Sequence, residues 1–202
     1  MKKRALRFFF SVFFSLIIVS CITIAIYNCK INRNNERQLL SFADSVVSED
    51  VIENKRNDDK YETDNETFSV EKLEADNNIV GKIVIDKIDV NAPILDGTDQ
   101  ETLKIAVGHF SSSGYWKGNV CLASHNRGSY AHYFEKINKL NIGDEIKYQT
   151  KLGTRIYKVS QIKNISEEDL SVLENTKDNT ITLITCVKSQ PELRLCVKGI
   201  EK

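Results

Sequence analysis

Several things are scarce in this sequence at once. Its 202 residues hold two prolines, one tryptophan and one methionine, and its 28 basic and 28 acidic side chains cancel. A net charge of zero offers no electrostatic footprint for nucleic acid. No fixed-period repeat is visible, which excludes solenoids and repeat arrays. Five cysteines are an odd number. They are irregularly spaced and form no C-x-x-C pair, so neither a zinc site nor a disulfide framework is indicated. The length leaves room for one ordinary domain plus extra segments. The charge balance hides one asymmetry: Lys2, Lys3, Arg4 and Arg7 open the chain with no acid among them.

What is present begins with an apolar run. Phe8 to Tyr27 is twenty residues without a charge, and as a helix it is about 30 Å long, the thickness of a bilayer core. The cations before it predict residues 1–7 as a cytoplasmic tail, 8–27 as a transmembrane helix, and the remainder outside the cell. Two rival readings are weighed against this. A cleaved signal peptide calls for a shorter apolar core and a small-residue cleavage site, which the sequence lacks. Ile18-Val19-Ser20-Cys21 resembles a bacterial lipoprotein box, yet the apolar run continues past it through Ile22, Ile24, Ala25 and Ile26. The uncleaved anchor is the reading adopted. Residues 28–77 are then polar and form an extracellular stalk, partly helical, with an amphipathic stretch from Leu39 to Val47 and a charged spacer from Glu53 to Asn65.

From Ile79 the pattern turns to β. Lys82–Val90 reads as a strand broken by Asn91-Ala92-Pro93; Asp99–Ala106 reads as a short helix capped by Thr98. Asn119–His125 is an apolar strand ending at a histidine, and Tyr130–Leu140 suggests a helical turn. Glu145–Thr150 and Arg155–Ile162 flank a hairpin, and Ser166–Leu170 reads as a helix start with early acids. Seven to eight short strands with brief helices over residues 78–202 predict an all-β, closed or nearly closed barrel.

The last two strands carry the chemistry. Thr180–Cys186 alternates and ends on a thiol; Glu192–Lys198 alternates again and contains Arg194. Joined by a short turn they make a hairpin with a thiol near a fixed cation, an arrangement that favours a thiolate and stabilises negative charge on an intermediate. A buried structural Cys beside a solvated Arg is the plainer alternative, and the pair alone does not decide between them. His125 adds a third feature. Strand ends meet on one rim of a barrel, and a Cys–His pair is the minimal apparatus for acyl transfer.

These residues carry a resemblance. Thr182-Leu183-Ile184-Thr185-Cys186 matches the TLxTC signature of the sortases, with Arg194 at the expected short distance after it. Ala123-Ser124-His125-Asn126 and Gly108-His109-Phe110 also resemble sortase segments, and the similarity covers about residues 79–202. The resemblance implies a cysteine transpeptidase on the outer face of a Gram-positive membrane. Cys186 is then the nucleophile, attacking the Thr carbonyl of an LPxTG-like sorting signal in a secreted protein. His125 is the general acid and base, and Arg194 holds the oxyanion or the substrate backbone. Thr185 is a substrate-orienting candidate. The acceptor is an amine of the cell-wall precursor or a pilin lysine. The missing helical insertion in residues 145–170 argues against class B, and no N-terminal lid motif points to class C. A class D-like or related housekeeping type is expected.

Other residues read as structural. His109 and His132 are expected to serve the fold, and Cys121 and Cys196 to be core thiols. Asp86, Asp89, Glu167, Glu168 and Asp169 are available to calcium, which stimulates some sortases, but no metal site and no cofactor are assigned. Two other function classes stay open: an exported Cys-His peptidase whose rate ignores added amine, and a catalytically inactive surface barrel or adhesin.

Overall fold

Alternation of β-branched residues resolves into eight strands. They are β1 (Ile79–Ile85), β2 (Val90–Asp96), β3 (Val107–His109), β4 (Asn119–Ala123), β5 (Glu145–Thr150), β6 (Gly153–Ser166), β7 (Thr180–Val187) and β8 (Gln190–Glu201). They close into a barrel in the order β1-β2-β3-β4-β7-β8-β6-β5, which abolishes free sheet edges. Pairing is antiparallel except for β2 with β3 and β4 with β7, which run parallel. The computed structural model describes residues 17–27, 78–128 and 131–202, with residues 30, 33, 37, 40, 41, 43 and 44 between them. The expected cytoplasmic tail and most of the expected stalk lie outside these residues.

The chain divides into two compact units, residues 1–38 and 39–202. In the first, residues 17–27 are helical and expose Ile17, Ile18, Val19, Ile22, Ile24, Ile26 and Tyr27. Among the described residues no helix is long and apolar enough to cross a membrane. The span expected at Phe8–Tyr27 begins outside them.

In the second unit the barrel is filled by one side of each strand. Ile83 and Ile85, Ile94, Val120 and Leu122, Ile146 and Tyr148, Tyr157 and Val159, Ile181 and Leu183, and Val197 share one buried cluster, sealed by Phe134 and Ile137. In β6 the inward period would point Gln161 at this core. A bulge between Val159 and Gln161 shifts the register instead, so that Ile162 packs there. β7 is buried on both sides from Thr180 to Thr185, because its outer side is covered as well.

Four local expectations shift. The break expected at Asn91-Ala92-Pro93 falls earlier, at a 3-10 turn (Asp86–Ile88) ended by Asp89 in the left-handed conformation at φ 57°. Pro93 sits within β2 opposite Lys82; β3 pairs only from Ile94 onward, so the ring meets no third-strand ladder. The helix after β2 is Gln100–Ile105 and its cap is Asp99, not Thr98, the carboxylate accepting from Glu101 N and Thr102 N. Where a helix start was expected at Ser166, β6 is still running. The turn that follows is a 3-10 segment, Leu170–Leu173, capped by Asp169. The expected helical turn before Leu140 shortens to a 3-10 segment, Ile137–Lys139.

Candidate active site

Alternation fixes which side chains leave the barrel on its outer side. On β7 Ile181 and Leu183 enter the core, so Thr182, Ile184 and Cys186 point away from it. On β8 Leu195 and Val197 pack inward, so Arg194, Cys196 and Lys198 point outward. Antiparallel register sets Cys186 opposite Arg194 and Ile184 opposite Cys196. The hairpin is tighter than expected: Val187 pairs with Gln190, and Lys188-Ser189 makes the turn with Ser189 at φ 62°. Arg194 therefore lies within β8, four residues past its first.

β4 supplies the third residue. Its parallel register with β7 runs from Asn119 opposite Thr180 to Ala123 opposite Ile184, with Cys121 and Ala123 on the outer side. Two more residues at the same offset bring His125 alongside Cys186. The regular ladder stops before that point, since β4 ends at Ala123, and polar groups take over. Ser124 N donates to Ile184 O at 3.3 Å. The Thr185 hydroxyl donates to Ser124 O at 2.7 Å, and the Asn126 side-chain amide donates to Cys186 O. His125 is thus held between two residues tied to the nucleophile's own strand, and Phe134 N closes the following loop onto its carbonyl. Cys186 and Arg194 are register partners on β7 and β8, and His125 lies two residues past the end of β4.

Cys186 is exposed and His125 and Arg194 are partly so, whereas Cys121 and Cys196 are buried. Burial pushes the Cys121 thiol up to about 11 and raises that of Cys196 too. Both thiols are kept protonated and out of reach. Thr185 is 4 % exposed and its hydroxyl is spent on Ser124. The Arg194 guanidinium donates from Nη1 to Pro191 O at 2.6 Å and to Leu193 O at 2.9 Å, and from Nη2 to Glu167 Oε2 at 2.7 Å.

At the other end of β4 and β7 the β6–β7 connection folds over their outer side. Asn119 anchors it. Its Nδ2 donates to Val172 O at 2.8 Å and Glu174 O at 3.0 Å, while its Oδ1 accepts from Thr182 at 2.8 Å and Thr180 at 3.1 Å. Asn119, Asn126 and Glu167 as a partner of Arg194 were not visible in the sequence. Asn126 stands in the segment that resembles sortases, but its bond to the Cys186 carbonyl, like the partners of Asn119 and Glu167, joins residues distant along the chain and leaves no local pattern.

The remaining candidates have other occupations. His109 is fully buried, with Nδ1 2.9 Å from Asp96 Oδ1, Nε2 3.1 Å from Gly114 O and its ring 4.3 Å from that of Tyr115. It is a post between β3 and the following loop. His132 is exposed, 3.6 Å from Glu135. Asp86 pairs with Lys147 at 2.7 Å, and Asp169 caps its own 3-10 segment. Among the described residues no three His, Cys, Asp or Glu side chains converge on a metal position.

The sortase domain family matches residues 83–201, more than half of the chain and nearly all of the barrel. The chain belongs to the sortase family. Its sequence is 38 % identical over 112 residues to sortase A of Listeria monocytogenes, covering 54 % of this chain and 50 % of that protein. It is 30 % identical over 110 residues to sortase D of Bacillus subtilis, covering 52 % and 53 %. The chain thus spans about half the length of these curated relatives. The crystal structure of the Listeria sortase A superposes with a TM-score of 0.57 at 34 % identity, covering 62 % of this chain and 88 % of that one. Cys186, His125 and Arg194 all lie within the residues matched by the family.

Proposed function

We propose that this chain is a membrane-anchored cysteine transpeptidase acting on secreted proteins that bear an LPxTG-like sorting signal. What supports the reading is the strand register: the exposed Cys186 thiol stands opposite Arg194 of β8, and His125 follows β4 at the offset that pairs β4 with β7. In this reading the Cys186 thiolate adds to the Thr carbonyl of the signal, and the Arg194 guanidinium faces the oxygen that becomes negative. His125 gives a proton to the departing amide nitrogen as the tetrahedral intermediate collapses to a thioester. An incoming amine, from a cell-wall precursor or a pilin lysine, loses its proton to His125 and displaces the thiol. Atoms and charge balance without a cofactor or metal, so none is invoked.

The anchor is part of the proposal. Four cations in residues 1–7 precede an apolar run whose described residues, 17–27, are helical and expose aliphatic side chains. That disposition supports a single-pass orientation with the tail in the cytoplasm and the barrel outside. Thr185, its hydroxyl bonded to Ser124, is better suited to holding the His125 segment than to touching substrate. The β6–β7 connection holds only a four-residue 3-10 turn, which supports the class D-like or housekeeping reading over class B.

The test is incubation with a panel of LPxTG-like peptides, with and without an amine. Mass spectrometry is expected to find a ligated product and a thioacyl adduct on Cys186, both lost in Cys186→Ala. Cleavage at a rate indifferent to amine would instead make the protein a peptidase, and an inert thiol would make it a surface barrel.

A further inference from the structure

We propose that Glu167 is a positioning residue for Arg194. It fixes the plane of the guanidinium beside β7 by a diagonal ion pair across β6 and β8. The register places Ile165 opposite Arg194 and Ser166 opposite Leu193, so Glu167, two residues beyond Ile165, emerges on the same outer side one step along. Its backbone is not loose: Glu167 N donates to Glu192 O at 2.8 Å, which prolongs the β6–β8 ladder past the last paired residue of β6. The carboxylate is therefore delivered from anchored chain, and Oε2 reaches Nη2 at 2.7 Å. At its other terminal nitrogen the guanidinium is held by Pro191 O and Leu193 O. Acceptors on both terminal nitrogens fix the plane of a rigid, planar group. Three of its five N–H donors are used in this way. The other two have no acceptor among the described residues, which leaves them for a bound group.

The side chains of the pair are 26 % and 47 % exposed, so screening leaves it little weight in the stability of the fold. Its effect belongs to orientation. A diagonal cross-strand contact of this kind sets a side-chain direction that strand register alone leaves open. The inference rests on the reading of Arg194 as the group that holds the oxyanion or substrate backbone.

The experiment compares wild type, E167Q, E167D, R194A and E167Q/R194A in thioacyl formation from whichever LPxTG-like peptide of the panel gives most adduct. R194A is expected to lose about a hundredfold in kcat/KM. E167Q is expected to lose roughly three- to tenfold, with kcat falling alongside kcat/KM, as for an interaction made in the transition state. E167D recovers part of that loss, and E167Q adds nothing once Arg194 is gone. Thermal unfolding midpoints of wild type and E167Q should agree closely. An unchanged or raised rate in E167Q, or the same loss in the R194A background, overturns the role of Glu167 while leaving that of Arg194 standing. If R194A itself stays within about twofold of wild type, or no peptide forms an adduct, the reading of the site fails and this inference falls with it.

Discussion

At the scale of the residue, exposure separates one thiol of the barrel from the other two. Cys186 stands in solvent beside an arginine, while Cys121 and Cys196 are buried and their thiols are pushed up by desolvation. Brief alkylation at pH 8 followed by peptide mapping is therefore expected to label Cys186 and to leave Cys121 and Cys196 unlabelled until urea is added. Labelling of Cys121 in the folded protein would contradict its burial. Arg194 is used through the direction of its fork: two acceptors on Nη1, one on Nη2. A lysine keeps the charge and loses that geometry, so Arg194→Lys is expected to lower kcat/KM by at least about tenfold, measured as thioacyl formation, with folding intact. The sequence shows that these residue types exist and lie near strand ends. It does not show that the Thr185 hydroxyl is consumed by Ser124, because that partner follows the end of β4, far away along the chain.

At the scale of the element, the barrel's functional side depends on strands whose two faces are both buried. Simple alternation in β7 identifies Ile181 and Leu183 as core but leaves Thr182 unexplained, a buried hydroxyl in a strand that reads as half exposed. Asn119 explains it, gathering Thr180, Thr182 and two carbonyls of the β6–β7 connection around one amide. Asn119→Ala removes that amide and leaves several buried polar groups without partners, at a cost of about 2–4 kcal/mol. A lower urea midpoint and faster proteolysis within residues 167–179 are the expected readouts. Loss of stability without any change at that segment would argue against the anchoring role. The hairpin β7–β8 was legible because its alternation is strong. The end of β6 was not, because Ser, Glu and Asp in series satisfy a helix cap and an extended strand terminus equally well until pairing with β8 decides.

At the scale of the whole molecule, closure of the barrel brings the two ends of the chemistry together and also buries His109. Asp96, at the end of β2, faces that ring. Burial opposes its charge, but hydrogen bonds from His109, Tyr115 and Ser111 and the attraction of His109 outweigh it, so its carboxyl is held below the ordinary 3.8. A depressed carboxylate binds its proton less well when folded than when unfolded. It therefore contributes stability above the unfolded value and loses that contribution as pH falls through the folded one. Wild type is expected to exceed Asp96→Asn in urea midpoint near neutrality, with the gap closing over roughly pH 5 to 2; a gap independent of pH would assign the loss to packing. By itself the sequence determined the strand-rich domain, the thiol, the imidazole and the guanidinium, and the apolar run before them, because local alternation and composition act between neighbours in the chain. Only the tertiary structure decided that Cys186 stands opposite Arg194, that Asn126 bonds the Cys186 carbonyl, that Asn119 ties the β6–β7 connection to β7, and that Glu167 pairs with the guanidinium. Those relations depend on register between β4, β6, β7 and β8, and register is set by closure of the barrel around its core, which no single stretch of sequence encodes.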